Sequence, residues 1–248
     1  MRANVITSRQ NSRIQQVRRL IRSRKERETA GLFVADGLKL LQEAVRWWDG
    51  LETVILTEGV EVCLPESVEV LQVSQEIMAY ISPMETPQGA LFVCRLPEET
   101  AYEAKPGLLL DGIQDPGNLG TILRTADALE IPVVLLEGCA DPYSHKVVRA
   151  SMGAVFRMPV IRSTWDRVNE ACTKAGIPVA VTALSDRAED IRSANLRQMA
   201  VVIGSEGQGV RREILGDAQK QLIIPMNPKC ESLNAAVAAT IVMWQMKG

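Results

Sequence analysis

The chain is poor in the residues that mark several common protein classes. Among its 248 residues, aromatic side chains make up 4%, and His145 is the single histidine. A catalytic triad that depends on histidine therefore has little support. The five cysteines contain no Cys-x-x-Cys pair, which argues against a disulfide framework and a zinc site, so no metal is expected.

Long apolar runs are also missing. No run reaches the roughly 18 residues that a membrane span needs, so no membrane partner is expected. The first residues are polar and basic, without the apolar segment of a secretory signal, so the expected location is the cytoplasm. The composition, 46% apolar and 23% charged, is that of an ordinary globular protein.

Charge is distributed unevenly along a chain whose net charge is −2. Residues 1–27 contain nine Arg or Lys and one acid, a local charge of +8, which leaves −10 for the remainder. Apolar residues at helical spacing within residues 12–25 predict a helix with arginines on its other faces. This basic face suggests a polyanionic partner such as RNA, with a solvated helix face as the alternative. The candidate RNA-binding residues are Arg9, Arg13, Arg18 and Arg22.

Two domains are predicted, separated by a polar segment with a proline at each end. We place a linker at residues 98–106, between a domain at 1–97 and a domain at 107–248. The first domain mixes helices and strands. In the second, strands alternate with helices, which predicts an α/β fold with a parallel sheet covered on both faces.

Two further elements of the second domain bear on later comparisons. Residues 155–160 are apolar and rich in valine, and we predict a strand there. The last helix, from residue 233 to about residue 246, is apolar nearly all round. Such a helix is expected to be buried in a core or in a dimer contact.

Three segments rich in Gly, Asn and Ser follow predicted strands of the second domain: residues 111–126, 203–210 and 224–236. Ligands of open α/β sheets bind at the carboxyl ends of strands, so these segments are candidate ligand loops. Known nucleotide motifs fit poorly. The glycines of the first segment do not form G-x-G-x-x-G, and the segment lacks the G-K-[ST] ending of a phosphate-binding loop.

Together the three segments resemble the signature motifs of the SpoU (TrmH) branch of the SPOUT RNA methyltransferases. The first segment matches N-x-G-x-x-x-R-x-A at Asn118, Gly120, Arg124 and Ala126. The second matches G-x-E-x-x-G at Gly204, Glu206 and Gly209. The third matches I-P-M, which includes Ile224 and Met226, followed by S-L-N at Ser232, Leu233 and Asn234. Residues 4–13, the basic helix and residues 31–37 resemble the small RNA-binding domain that often precedes the catalytic one. Family members usually have Glu where Asp36 stands.

The resemblance implies a fold, an activity and a set of site residues. The expected fold is a small N-terminal α/β RNA-binding domain, followed by a parallel-sheet SPOUT domain with a trefoil knot, in a homodimer. The expected activity is methyl transfer from S-adenosylmethionine to a ribose 2′-hydroxyl of structured RNA, with large-subunit ribosomal RNA favoured. The implied catalytic residues are Asn118, Arg124, Glu206, Ser232 and Asn234. The implied cofactor-binding residues are Leu184, Gly204, Gly209, Ile224, Met226 and Leu233.

Plainer interpretations remain for several residues. Arg124 fits a structural salt bridge as well as a cation that stabilises the developing oxyanion. Asn118 fits a cap for a helix that starts at Leu119, and Ser232 and Asn234 fit the capping region of the last helix. Glu206 fits a surface acid, or a residue that positions Arg124 or contacts a partner chain.

Alternative functions also remain open. They are ribose methylation of transfer RNA, methylation of a base, and a non-catalytic RNA-binding or ribosome-assembly protein that retains the fold.

Overall fold

The structure, a computed structural model, describes residues 5–227 and 229–248. Five residues of the segments discussed above lie outside the described residues: residues 1–4, which include Arg2 of the basic segment and Asn4 at the start of the N-terminal resemblance, and Pro228 in the third motif segment. In the described ranges, no helix is both long and apolar enough to cross a membrane.

Contacts between residues divide the chain into two units. The first unit comprises the chain up to Glu98 together with Tyr143–Arg157, and the second comprises Glu99–Pro142 and Met158–Gly248. The division after Glu98 falls at the start of the predicted linker. Residues 99–106 group with the second unit because Tyr102 packs against its core.

The grouping of residues 143–157 with the first unit differs from the predicted boundaries, and aromatic packing explains it. The ring centroid of Phe33 lies 5.1 Å from that of Tyr143 and 6.2 Å from that of Phe156. The Phe156 ring also lies within 6.2 Å of Phe92 and 5.7 Å of Trp48. Single-sequence periodicity could not predict these contacts, because they join residues far apart in the chain.

The first unit is a four-stranded mixed sheet with helices. The strands are β1 (Leu32–Asp36), β2 (Leu51–Thr57), β3 (Glu69–Val73) and β4 (Ala90–Arg95). The sheet order is β1-β4-β2-β3, in which β4 pairs antiparallel with β1 and β2, and β2 pairs parallel with β3. The helices are α1 (Ser12–Arg22), α2 (Arg24–Ala30), α3 (Leu38–Trp47), α4 (Gln75–Ile81), α6 (His145–Ala150) and α7 (Ala154–Arg157).

Two elements of the first unit correct the sequence predictions. The helix predicted over residues 12–25 ends at Arg22, because Ser23 is extended and its hydroxyl accepts a hydrogen bond from the N–H of Glu26, which caps α2. The strand predicted over residues 155–160 is wrong, because its first residues form α7. Val155 and Phe156 are buried there. A short run that contains valine and phenylalanine indicates a buried segment, but it does not by itself distinguish a strand from a short helix.

The second unit is a seven-stranded sheet in which every pair of described neighbours is parallel, as predicted. The strands are β5 (Gly107–Asp111), β6 (Val133–Leu135), β7 (Ile161–Arg162), β8 (Val179–Thr182), β9 (Glu189–Asp190), β10 (Ala200–Gly204) and β11 (Lys220–Ile223). Their order is β7-β6-β5-β10-β8-β11-β9, and β5 is buried along its whole length, so both faces are covered at that strand. The helices are α5 (Pro116–Leu129), α8 (Trp165–Ala175), α9 (Arg212–Asp217) and α10 (Ala235–Lys247), with a short 3₁₀ helix at Ile191–Ser193.

The last helix, α10, is only partly buried. One face is buried among the neighbouring elements, including Ala239, Val242 and Met243. Val237 and Trp244 are 49% and 69% exposed, so the core of the single chain covers only part of this apolar helix, and the dimer contact predicted as the alternative stays a prediction. An apolar face thus remains uncovered in the single chain. The trefoil knot implied by the family resemblance stays a prediction.

Candidate active site

Helix α5 begins after a capping aspartate and not at Asn118. Asp115 is its N-cap, and Oδ1 of Asp115 accepts a hydrogen bond from the N–H of Asn118 at 2.7 Å. Pro116 takes the first helical position, where its missing N–H leaves no bond unmade. The interpretation of Asn118 as a cap for a helix that starts at Leu119 is therefore wrong. The Asn118 side chain makes other contacts.

Glu206 gathers three donors on one carboxylate oxygen. Its Oε1 accepts hydrogen bonds from Nδ2 of Asn118 at 2.9 Å, from Nδ2 of Asn234 at 2.8 Å, and from the N–H of Ala235 at 2.9 Å. Nδ2 of Asn234 also donates to Oδ1 of Asn118 at 2.9 Å. The parallel sheet therefore brings one polar side chain from each motif segment to a single point. We call these three side chains the Asn118–Glu206–Asn234 cluster.

Asn234 has two roles in this arrangement. It is the N-cap of α10, and its Oδ1 accepts hydrogen bonds from the N–H groups of Ala236 at 3.0 Å and Val237 at 3.2 Å. The capping interpretation is thus confirmed for Asn234. Its Nδ2 is left free for the cluster, so the same amide fixes the helix start and the position of Glu206.

The loop Gly204–Val210, which carries Glu206, folds back on itself. Ser205 and Gly209 form an antiparallel bridge. A Cβ atom at Gly204 would lie 2.1 Å from the carbonyl carbon of Gly209, so only glycine permits this closure. The small size of Gly204 is thus explained by loop closure, whereas the sequence suggested close approach of a ligand.

The first cavity, of about 480 Å³, lies between this loop and the segments that follow β8 and β11. All six predicted cofactor residues line it: Leu184, Gly204, Gly209, Ile224, Met226 and Leu233. Leu184 is 67% exposed. Ser232 and Glu206 also line this cavity, and the Ser232 side chain is bonded to no residue in the described part of the chain.

The second cavity, of about 460 Å³, shares a wall with the first. Residues 205–209 and Ala235 line both cavities. Asn118 lines only the second of these two, beside residues that follow β5 and β6: Asp111, Gly112, Ile113, Gln114, Asp115, Glu137 and Gly138. The Asn118–Glu206–Asn234 cluster therefore lies at the junction of two spaces of similar size.

Arg211 holds the end of this shared loop, and the sequence did not single it out. Its N–H and Nε donate to the two oxygens of Asp111 at 2.8 and 2.7 Å, and its Nη2 donates to Glu137 at 2.8 Å. Asp111 is 1% exposed. A carboxylate at the end of the buried apolar strand Gly107–Asp111 was the available signal, because a buried charge requires a partner.

These contacts also affect the titration of Glu137. Burial alone would raise the pKa of its carboxyl, but hydrogen bonds from its own backbone amide and from Arg211 outweigh burial. The pKa of Glu137 therefore lies below its ordinary value. Arg211 is a structural cation, fully engaged with carboxylates.

Arg124 stands apart from the cluster. It is exposed on α5, lines neither cavity, and contacts no hydrogen-bond or ion-pair partner within the described residues. It lies six residues beyond Asn118, which is about 9 Å along a helix axis. The structural salt bridge considered for Arg124 is absent from the described part of the chain. The expected contact between Arg124 and Glu206 is also absent there.

The four arginines predicted to bind RNA differ in their surroundings. Arg9 pairs with Glu76 at 2.9 Å, and Arg13 pairs with Glu69 at 2.5 Å. Arg18 donates to the hydroxyl of Tyr80 and lies over its ring, with 3.9 Å from the guanidinium carbon to the centroid. Arg22 is exposed and bonded to none of the described residues. Across those residues, no group of three His, Cys, Asp or Glu side chains could hold a metal ion.

Two family comparisons cover most of the chain. Residues 106–244 match the SpoU rRNA Methylase family, and residues 11–91 match the MRM3-like substrate binding domain. The chain is 31% identical over 246 residues to the 23S rRNA (guanosine(2553)-2′-O)-methyltransferase RlmP of Bacillus subtilis (strain 168), over 98% of this chain and 99% of RlmP.

Solved structures give the same result. A crystal structure of an RNA 2′-O ribose methyltransferase is 31% identical, has a TM-score of 0.82 and covers 98% of both chains. The crystal structure of an rRNA methyltransferase from Sinorhizobium meliloti with bound S-adenosylmethionine is 27% identical, has a TM-score of 0.85 and covers 99% of this chain and 97% of that one. The family match agrees with the similarity to RlmP over nearly the whole length of both chains, and with the three motif segments that meet at Glu206. The chain belongs to the SpoU rRNA Methylase family.

Proposed function

We propose that the protein transfers the methyl group of S-adenosylmethionine to a ribose 2′-hydroxyl of RNA, and that its substrate is large-subunit ribosomal RNA. The observation that carries the proposal is the Asn118–Glu206–Asn234 cluster at the wall between two cavities. A transfer between two bound molecules needs two adjacent spaces and a fixed polar group where they meet. A non-catalytic RNA-binding protein would have no need of this arrangement.

The first cavity suits the cofactor. Its volume of about 480 Å³ lies in the usual range for ligand sites, and Ile224, Met226 and Leu233 offer apolar surface to an adenine ring. The exposed edge of Leu184 would be covered by the same ring. The hydroxyl of Ser232 and the backbone of the Gly204–Val210 loop offer hydrogen bonds. When bound, S-adenosylmethionine supplies a methyl group made electrophilic by its sulfonium.

Glu206 is placed to orient the ribose hydroxyl. Its Oε1 is saturated by three donors, whereas Oε2 has no partner among the described residues. Oε2 can therefore accept the hydrogen bond of a 2′-hydroxyl. In the in-line displacement, the 2′ oxygen bonds to the methyl carbon, the bond from that carbon to sulfur breaks, and the hydroxyl proton leaves toward an acceptor such as Oε2. The two asparagines hold the carboxylate for this task.

Arg124 would join the site from a second copy of the chain. It contacts no partner within the described residues and lines neither cavity, and α10 presents exposed Val237 and Trp244 for association. A homodimer in which each Arg124 approaches the cluster of the other copy would cover this apolar face. The guanidinium would bind a phosphate and stabilise the negative charge that develops on the 2′ oxygen.

The first unit would supply RNA affinity, and its match to a substrate binding domain supports this role. The proposal includes the cytoplasmic location, the trefoil knot and the absence of a metal requirement, as expected from the sequence. Transfer RNA remains the second candidate substrate.

The activity is tested by binding and by mapping. We expect the protein to bind S-adenosylmethionine in the presence of a chelator, as measured by calorimetry. We also expect one 2′-O-methyl group to be lost from ribosomal RNA in cells without the gene. Absence of binding, or an unchanged methylation map in both ribosomal and transfer RNA, would contradict the proposal.

A site formed by the cluster of one copy and Arg124 of the other can be tested by mixing two inactive variants. Arg124→Ala and Asn234→Ala should each be inactive alone. After co-refolding, random assortment should restore one intact site in each mixed dimer, which is roughly a quarter of the wild-type sites. No recovery in a sample that contains mixed dimers, shown by differently tagged chains, would mean that Arg124 acts within its own chain.

A further inference from the structure

We infer that the second cavity is a nucleobase pocket for the nucleotide being methylated, and that Gln114 and Asp115 read the Watson–Crick edge of a guanine there. The inference rests on the proposed function and deepens it, because it names the base and the residues that recognise it. These two residues have no assigned role beyond the capping bond of Asp115.

The position of the cavity supports this assignment. A ribose whose 2′-hydroxyl contacts Oε2 of Glu206 lies at the wall shared by the two cavities. One side of that wall is the space suited to the cofactor. The base attached to the same ribose must then lie on the other side, beside Asn118, in the space of about 460 Å³. A base buried in such a pocket would be turned out of its stack, as enzymes that act on single nucleotides require.

The charges that one chain places around the second cavity oppose a phosphate inside it. Asp111, Asp115, Glu137 and Glu206 line the cavity, and Arg211 is the one cation that lines it among the described residues of a single chain. The Arg211 guanidinium is engaged by Asp111 and Glu137. A phosphate would meet uncompensated negative charge, whereas an uncharged base with N–H groups would meet acceptors.

Part of the lining of this cavity is glycine backbone. Gly112 and Gly138 have φ angles of +67° and +82°, and a Cβ at Gly138 would lie 3.4 Å from the Cα of Gly112. A Cβ at Gly112 would meet no atom within 4 Å. The glycines in the loops after β5 and β6 therefore leave two adjoining positions of the lining without a side chain. A flat ring can approach the backbone closely on such a surface.

Two side chains on the rim have unused hydrogen-bonding groups. The side chain of Gln114 is exposed and makes no hydrogen bond with the described residues. Asp115 uses Oδ1 for the N–H of Asn118, and its Oδ2 has no partner in the same set of residues. Together they offer one amide donor beside a carboxylate acceptor.

This combination matches guanine best. The Watson–Crick edge of guanine presents an acceptor, O6, next to two donors, N1–H and the N2 amino group. The Gln114 amide can donate to O6 while the Asp115 carboxylate accepts from N1–H and N2–H. Cytosine, uracil and adenine each present an acceptor or a C–H where the carboxylate requires a second donor.

The experiment begins with the identity of the methylated nucleotide, located by mapping ribose methylation in RNA from cells with and without the gene. A short RNA that contains this nucleotide is then methylated by the full chain at saturating S-adenosylmethionine, and initial rates are measured over a range of RNA concentrations under multiple-turnover conditions. The RNA carries either guanosine or inosine at the target. Inosine keeps the ribose hydroxyl, O6 and N1–H but lacks the N2 amino group.

We expect the target to be a guanosine, and inosine to lower kcat/KM about tenfold, since one hydrogen bond to a charged acceptor is removed. Gln114→Ala should lower kcat/KM for the guanosine RNA about tenfold, mostly through KM, with unchanged affinity for S-adenosylmethionine. The matched control, Gln198→Ala, removes an exposed glutamine that lines neither cavity and should have no effect.

Three results would overturn the inference: a mapped target other than guanosine, equal rates for guanosine and inosine, or a Gln114→Ala variant that behaves as Gln198→Ala does. Each of them leaves methyl transfer by the wild-type protein intact. Failure of the proposed function is different, because the wild-type protein would then methylate no RNA.

Discussion

The two units use their polar side chains in opposite ways. In the second unit, Asn118, Glu206 and Asn234 bond to one another at the edge of a parallel sheet and leave one carboxylate oxygen unused. In the first unit, exposed arginines such as Arg9 and Arg13 are paired with glutamates. The sequence motifs of the second unit thus identify individual site residues. The positive charge of residues 1–27 identifies only a surface, on which Arg9 and Arg13 are already paired with glutamates.

Both units contain a buried aliphatic cluster, but the two differ in their aromatic residues. The first unit joins Phe33, Trp48, Phe92, Tyr143 and Phe156 in one group of neighbouring rings. The second unit packs one face of its sheet mainly with aliphatic side chains, around a single buried Trp165. Because the segment that includes Tyr143 and Phe156 lies within the sequence of the methylase domain, the stability of the first unit depends on residues from both halves of the chain.

The largest expected effect sharpens this second contrast. Phe156→Ala should destabilise the first unit by about 3–5 kcal/mol, because it removes a ring that is 3% exposed among three other rings. Peptide-resolved hydrogen exchange should show faster exchange in β1 and β4, with β10 little changed. The reciprocal control is Val202→Ala in the second core, which should affect β10 first. Equal acceleration in both units by Phe156→Ala would contradict the assignment of residues 143–157 to the first unit.

Next in size is the effect of removing Arg124, an exposed cation of the second unit. Arg124→Ala should lower the rate of methyl transfer by about 10²–10³, as found when one donor to a developing oxyanion is removed. Its fold and cofactor affinity should be unchanged, because Arg124 bonds to no described residue and lines neither cavity. Single-turnover methylation and a cofactor titration measure the two effects separately.

Two further variants test the chemistry of that cation. Arg124→Lys should also be poor, because an ammonium cannot reproduce the planar two-pronged contact of a guanidinium. Arg167→Ala is the control, since Arg167 is another exposed helical arginine of the same unit and lies outside both cavities. Near-normal turnover in Arg124→Ala would mean that Arg124 does not activate the ribose hydroxyl, and that Ser232 or the Asn118–Glu206–Asn234 cluster does.

The sequence predicts the second unit better than the first, because its motifs are local and the aromatic contacts of the first unit join distant residues. The parallel sheet and its motif loops were predictable, because alternating strands and helices place the three segments at one edge. The cap at Asp115 and the anchor at Arg211 were less accessible. Asp115 precedes a proline that serves as the first helical residue, and Arg211 acts through Asp111, which lies 100 positions away. The packing of Tyr143 and Phe156 with Phe33 leaves no local periodicity to detect.

A smaller effect on RNA affinity is expected for the arginines of the first unit, and it should differ between paired and unpaired ones. Arg22→Ala should weaken RNA binding more than Arg13→Ala, because Arg13 is already paired with Glu69 at 2.5 Å. Removal of one arginine that neutralises a phosphate should reduce the slope of log affinity against log salt by about one. Filter binding over a series of salt concentrations measures both quantities. Equal losses of affinity in the two variants would mean that RNA displaces the glutamate, and unchanged binding in both would mean that this face is only solvated surface.

The smallest effect concerns His145, at the start of α6 in the first unit. Burial lowers its pKa from the ordinary value of 6.5, and the positive charges of Lys146, Arg27 and Arg149 lower it further, although a backbone contact with Ile21 opposes this. Within the described residues, its Nδ1 is buried without a hydrogen-bond partner. The folded protein therefore binds this proton less readily than the unfolded chain does. Its contribution to stability is complete above pH 6.5 and is lost as the pH falls from 6.5 through the lowered pKa.

His145→Gln removes this titration, and because the chain has no other histidine, the comparison isolates a single group. To follow the first unit alone, Trp165 and Trp244 of the second unit are replaced by phenylalanine in both proteins, so that the fluorescence comes from Trp47 and Trp48. The first unit should then lose more stability between about pH 8 and about pH 5.5 with His145 present than with His145→Gln. The carboxylates titrate in both proteins and cancel in the difference. Parallel curves for the two proteins would show that His145 is equally easy to protonate in the folded and unfolded chains, and would contradict the lowered pKa.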